Sequence, residues 1–252
     1  MVDLHELVSY CDTLLDTAAF QDYCPNGLQV EGRRQVRRVL SGVTASQALV
    51  DAAVAADVDA VLVHHGYFWK GEDPCVRGMK RRRLAALLAA DISLIAYHLP
   101  LDAHPEYGNN ARLGAVLGFP IAGWFGADRG PAIACFSELP QPLSGPACAQ
   151  RLAAALGRAP LFVPGGEQAI RRIGWCSGAA QSYIEAAAAL GLDAFISGEV
   201  SEPTVHVARE CGIHFYAAGH HASERYGVSA LGEHLAHRFG LEQRFLDLDN
   251  PA

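Results

Sequence analysis

The stretch LSGVTASQALVDAAVAADVDAVLVHHG, residues 40–66, reads as strand, glycine turn, alanine-rich helix and second strand. Residues 36–43 and 59–65 are short apolar runs of strand length, and 46–57 carries the small and apolar residues of a helix. The order continues outward. A helix is expected over RRRLAALLAAD (81–91), a strand over SLIAYH (93–98) and a helix over NNARLGAVLG (109–118). Strands alternating with helices imply an α/β fold with largely parallel strands. At the N-terminal side, MVDLHELVSYCDTLLDTAAF reads as an amphipathic helix that offers Leu4, Leu7, Leu14 and Leu15 to a core.

The same order returns later in the chain. WCSGAAQSYIEAAAALGLDAFISGEV (175–200) lies over residues 40–66 as strand, glycine turn, alanine-rich helix and Asp-Ala strand. A strand over HFYAAGHH (214–221) and a long helix over 224–240 complete the copy. Between the copies come AGWFGADRGP (122–131), read as a separator, a strand at 132–139 and a helix at 144–157 with Ser144 as its N-cap. The expectation is two similar α/β halves related by an internal pseudo-repeat, 1–125 and 126–252. Their sheets are mixed, helices pack outside, a metal site lies between the halves, and the C-terminal helix packs back on the first.

Composition sets limits. Of 252 residues 50% are apolar and 19% charged, enough for a sizeable core. No leader peptide is legible, and no window reaches the roughly 18 apolar residues of a membrane span. Seven scattered cysteines without a CxxC pair fit reduced thiols and a cytoplasmic location. A formal charge of −7 argues against a nucleic-acid partner, and KRRR (80–83) reads as the solvated start of a helix.

The chemistry gathers where predicted strands end, the place where α/β sheets collect ligands. His64 and His65 close one strand, His98 and Asp102 follow another, and His220, His221 and Glu224 follow a third. His98-x3-Asp102 and His220-x3-Glu224 fall at equivalent places of the repeat. Imidazole nitrogen with carboxylate oxygen suits Zn, Fe, Mn, Co or Ni. So many donors exceed the needs of one tetrahedral ion and suggest a pair roughly 3.5–4 Å apart. Adjacent histidines on a strand diverge, so each would serve a different ion, with Gly66 allowing a sharp turn beside them. His98 reads either as a ligand or as a group that orients Asp102. Glu199 and Glu202 read as water- or substrate-holding groups or as caps of the next helix. Tyr67, Phe68, Trp69, Tyr97 and Tyr226 flank these residues and would either stack on a ring substrate or pack. No phosphate loop and no nucleophile elbow is present.

Six pieces together resemble the Nif-three-like dinuclear-metal proteins, also called GTP cyclohydrolase I type 2 homologs, in their short bacterial form. They are PNGLQVEG (25–32), DAVLVHHG (59–66), YHLPLD (97–102), GNNARLG (108–114), FISGE (195–199) and GHHASERYGV (219–228). The resemblance implies two divalent ions held by His64, His65, Asp102, His220 and Glu224, with Glu224 bridging and His98 close by. It also implies two α/β halves and a homohexamer. Leu99-Pro100 departs from a Thr-containing variant of the motif without touching a ligand. The expected function is a metal-dependent hydrolase of a small molecule, with His98 or Glu199 moving protons. The alternative is a non-enzymatic metal-binding or scaffold ring.

Overall fold

The computed structural model describes residues 1–127 and 130–252. The chain forms two compact units, residues 1–101 with 227–249, and residues 102–226 with 250–252. The chain passes between them within the helices Leu99–Ala103 and His220–Phe239 and again after Asp249.

In the first unit a five-stranded sheet runs in the order Glu242–Phe245, Arg38–Thr44, Ala60–His65, Ser93–Ala96 and Gly27–Val30. The first four are parallel and Gly27–Val30 is antiparallel to its neighbour. Period-two alternation sorts its side chains. Val39, Val43, Leu62 and Ile95 meet the helix Leu4–Leu14 and the helical residues Val228, Leu231 and Leu235. Leu40, Val61, Val63 and Leu94 meet the helices Gln47–Ala55 and Gly78–Ala89. With both faces covered, near-continuous apolar strands such as Ala60–Val63 are what a buried parallel sheet requires. Ser46 caps its helix by accepting from the Leu49 N–H.

In the second unit six strands run in the order Gly123–Phe125, Ala134–Leu143, Ile170–Cys176, Ala194–Ser197, His214–Ala217 and Leu161–Val163. The middle three are parallel, and antiparallel strands flank them on both sides. Leu113, Leu117, Leu152 and Trp175 fill one side, and Ile184, Phe195, Ala208 and Phe215 the other. Ser144 caps Gly145–Leu156 as expected. The repeat is therefore a repeat of cores: three parallel strands with a helix crossing between the first two.

Expectations change on the unit boundaries, on the separator and on one strand end. Residues 102–125 belong to the second unit, because Leu113, Leu117 and Phe119 pack into its core. Residues 227–249 belong to the first, because Glu242–Phe245 pairs with Arg38–Thr44. The stretch 122–131 is no plain separator, since Gly123–Phe125 forms a strand; residues 128 and 129 within it lie outside the described residues. The third change bears on the site. The strand expected over 214–221 stops at Ala217, and His220 opens the long helix. Gly219 has φ +102°, a left-handed conformation that ends the strand there.

Candidate metal centre

In the first unit His64 and His65 are the last two residues of their strand, His64 fully buried and His65 partly exposed. Their rings do not diverge; the centroids lie 4.5 Å apart. His98 follows the neighbouring strand, 5.1 Å from His64 and 5.8 Å from His65 by ring centroid. One ligand nitrogen from each of the three lies within 4.8 Å of the others. Parallel pairing of Ala60–His65 with Ser93–Ala96 brings the two strand ends to one edge and makes this convergence.

The back of each ring is held. His64 Nδ1 donates to the Tyr97 carbonyl at 2.9 Å, which can only accept. A neutral His64 then carries its lone pair on Nε2. His98 Nδ1 donates to Asp22 Oδ1 at 2.7 Å, with the same result. His65 Nδ1 meets the Thr44 hydroxyl at 3.2 Å. Asp22 in turn accepts from Asn26 Nδ2 and from the Leu99 N–H, both at 2.9 Å. Burial works against the Asp22 charge, but the His98 ring, Asn26 and the Tyr23 N–H outweigh it and hold its carboxyl below the usual range.

Gly66 does not serve a left-handed turn. A Cβ there would collide with the Gln29 carboxamide, whose Oε1 accepts from the Tyr67 N–H at 2.6 Å. Of the five aromatics, Tyr67 and Tyr97 are buried, and Tyr226 packs against the second core. Trp69 stands edge-on to His98 at 5.0 Å. Phe68 is exposed and adopts φ +65°, an unusual conformation for a bulky residue.

In the second unit His220 and Glu224 lie four residues apart on the first turns of the helix His220–Phe239, hence on one face. His220 Nε2 is 3.1 Å from Glu224 Oε2, and its Nδ1 donates to Glu199 Oε1 at 2.7 Å. Burial lowers the His220 pKa, but the two carboxylates override it, Glu224 first, and push it up to about 9. Glu224 is buried over Gly178, where an added Cβ would strike its carboxylate. Asp102 is buried and accepts from Asn109 Nδ2 at 2.9 Å and from the Ser177 hydroxyl at 3.2 Å.

Glu199 does not cap the following helix. Ser201 and Thr204 form that capping box, and Glu199 holds His220 instead. His221 joins no potential metal-binding group among the described residues. Asp22, Thr44, Asn109 and Ser177 escaped the sequence reading. Asp22 and His98 are 76 residues apart, and no spacing rule links them. Asn26 and Asn109 do lie in the PNGLQVEG and GNNARLG pieces, the one available signal.

The donor set fits a divalent ion of the Zn, Fe, Mn, Co or Ni group. Imidazoles whose far nitrogen is anchored by a carbonyl or carboxylate are the usual form of ligating histidine. Among the described residues no helix is long and apolar enough to cross a membrane.

The chain is similar to known proteins over its whole length. The profile of the Duf34/NIF3 (NGG1p interacting factor 3) family matches residues 2–251. A Pseudomonas aeruginosa protein named GTP cyclohydrolase 1 type 2 homolog is 60% identical over 251 residues, covering 100% of this chain and 99% of its own. A protein of the same name from Escherichia coli is 53% identical, covering 98% of each chain. The solved structure of protein ybgI, titled as of unknown function, superposes with a TM-score of 0.95 at 52% identity over the whole of both chains. The structure of TTHA1606 from Thermus thermophilus gives 0.86 at 36%, again over the whole of both. The chain belongs to the DUF34/NIF3 family.

Proposed function

We propose that His64, His65, Asp102, His220 and Glu224 hold two divalent metal ions and that the protein is a metal-dependent hydrolase of a small molecule. The observation that carries this reading is the anchoring of Nδ1. His64 on the Tyr97 carbonyl leaves a neutral ring's lone pair on Nε2, and His220 on Glu199 leaves Nε2, which faces Glu224, as the nitrogen that would exchange its proton for a metal ion. When bound, the ions supply Lewis acidity and a water whose pKa falls to about 7.

The chain's own groups supply the rest. Glu224 and Asp102 contribute negative charge, each buried and held in place, which offsets the charge of incoming cations. His98, outside the proposed ligand set, moves the proton at Nε2 while Asp22 retains the one on Nδ1. Glu199 keeps His220 in the tautomer that presents Nε2, with a second role in proton transfer at its exposed edge. Trp69, edge-on to His98, limits access of bulk water. The relatives' shared name makes opening of a purine nucleotide ring the first reaction to test. We also place the chain in a homohexamer in the cytoplasm; seven free cysteines favour a reducing compartment.

The test is elemental mass spectrometry on protein purified without chelator or histidine tag. Two transition-metal ions per chain are expected, falling to one or none in His220→Ala and Asp102→Asn. A value near zero that persists after dialysis against Zn, Fe and Mn overturns the reading. Metal-dependent turnover is then sought with nucleoside triphosphates, phosphoesters and cyclic amides.

A further inference from the structure

Each unit closes one edge of its sheet in the same way, with a different acceptor. In the first, Gly27–Val30 is the edge strand beside Ser93–Ala96, with Val30 opposite Leu94. Two residues beyond Val30, the Gly32 N–H donates to the Ser93 hydroxyl at 3.0 Å. In the second, Leu161–Val163 is the edge strand beside His214–Ala217, with Val163 opposite Phe215. Two residues beyond Val163, the Gly165 N–H donates to His214 Nδ1 at 3.2 Å. The surroundings match as well. The Ser93 N–H donates to the Asp59 carbonyl at 3.0 Å, and the His214 N–H to the Asp193 carbonyl at 2.9 Å. At both glycines a Cβ would strike the facing backbone, residues 91–93 in one unit and Ile213 in the other.

The two acceptors respond differently to acid. A hydroxyl accepts at any ordinary pH, whereas an imidazole nitrogen accepts only while it is unprotonated. His214 is buried and both its nitrogens are committed. The Gly165 N–H can only donate, so Nδ1 carries the lone pair. Nε2 lies 3.0 Å from the Gln168 carbonyl, which can only accept, so Nε2 carries the proton. The closure therefore requires the neutral ring. A second proton would set an Nδ1–H against the Gly165 N–H. The segment that can give way is 164–168, where Pro164, Gly166 and Glu167 are exposed.

The ring's other neighbours are Phe162, 5.6 Å away by centroid, and the start of the helix Gly145–Leu156, around a cavity of about 280 Å³. Among the described residues Glu167 is the only charged side chain lining that cavity, and it belongs to the segment itself. On the neighbouring strand side, the Asp193 carboxylate accepts from the N–H groups of Arg171 and Arg172.

We infer that His214 is a proton-operated latch. The neutral ring pins residues 164–168 to the strand His214–Ala217, and protonation releases them together with the edge strand Leu161–Val163. Release uncovers the outer edge of His214–Ala217, the strand that leads through Gly219 to His220. The first unit, closed by a hydroxyl, stays shut. The latch needs no bound metal ion.

Hydrogen–deuterium exchange of the full chain, read by mass spectrometry at pH 8 and pH 5, tests this. Imidazoles ordinarily gain a proton across that span. Labelling times are corrected for the intrinsic pH dependence of exchange. Protection of residues 161–168 is expected to fall about fivefold at pH 5, as for the loss of one hydrogen bond. Residues 28–34, closed by Ser93, should keep theirs. In His214→Asn, whose amide oxygen can stand where Nδ1 stands and does not titrate, the fall should vanish. Equal protection at both pH values in the natural chain overturns the latch. So does an equal fall at residues 28–34, or a fall that persists in His214→Asn. Should the asparagine chain be open at both pH values, the natural chain still decides, because residues 28–34 report any general loosening.

Discussion

The two units offer similar donors by different means. In the first, three imidazoles converge from the ends of two adjacent parallel strands, backed by a carbonyl, a hydroxyl and one carboxylate. In the second, a histidine and a glutamate share a helix face, and carboxylates flank the ring on both sides. The first arrangement is mostly buried, with one carboxylate behind one of its rings; the second places carboxylates on both sides of one ring and reaches the surface, with the His220 side chain 26% exposed. The contrast shows that one α/β core supports a strand-end cluster and a helix-turn cluster equally, provided something fixes each ring from behind.

The largest difference between the units is expected in stability. His64→Ala leaves a cavity and a Tyr97 carbonyl without its donor, so it should destabilise by about 2–4 kcal/mol. His220→Ala, part-exposed, should change stability by about 1 kcal/mol or less in metal-free protein. Urea unfolding of both variants would erase the contrast if the two values came out equal.

Next in size are the groups behind the rings. Asp22→Asn and Glu199→Gln keep shape but remove the carboxylates that fix the His98 and His220 tautomers. Glu199→Gln should weaken metal binding by about 10–100-fold, read by competition with a chelating dye. Asp22→Asn should instead lower turnover with little change in metal content, since His98 lies outside the proposed ligand set. Loss of metal in Asp22→Asn would make His98 a ligand.

A smaller effect follows from acid. The Asp22 carboxyl is held below its ordinary value in the folded chain, so its contribution to stability is present above about pH 4. That contribution disappears as pH falls through the depressed value. Thermal melts from pH 5 to 3 should therefore drop more steeply for the natural chain than for Asp22→Asn.

The smallest effect separates surface from interior. Cys75 and Cys211 are exposed and should react within minutes with a thiol reagent. Cys11 and Cys24, pushed up to about 12 by burial, and Cys148, pushed up to about 11, should stay silent until unfolding, together with Cys135 and Cys176.

Much of this molecule is local and therefore legible. Ser144 with its alanine-rich follow-on, the apolar run Ala60–Val63 and the Gly118 stop after Asn109–Leu117 each carry their signal within a few residues. Each candidate ligand was visible as a residue type at the end of an apolar run. The helix start at His220 was not, because Ala217, Ala218 and Gly219 suit a fading strand as well as a turn.

By itself the sequence determined the two α/β cores and the residue types gathered after their strands. These follow from hydrophobic period and residue chemistry, which act over one or two turns. Only the tertiary structure decided that the His64 and His65 rings converge, that Asp22 and Glu199 stand behind His98 and His220, and that His214 meets Gly165. These depend on strand register and helix placement between segments as far as 76 residues apart, and no local pattern encodes such a meeting.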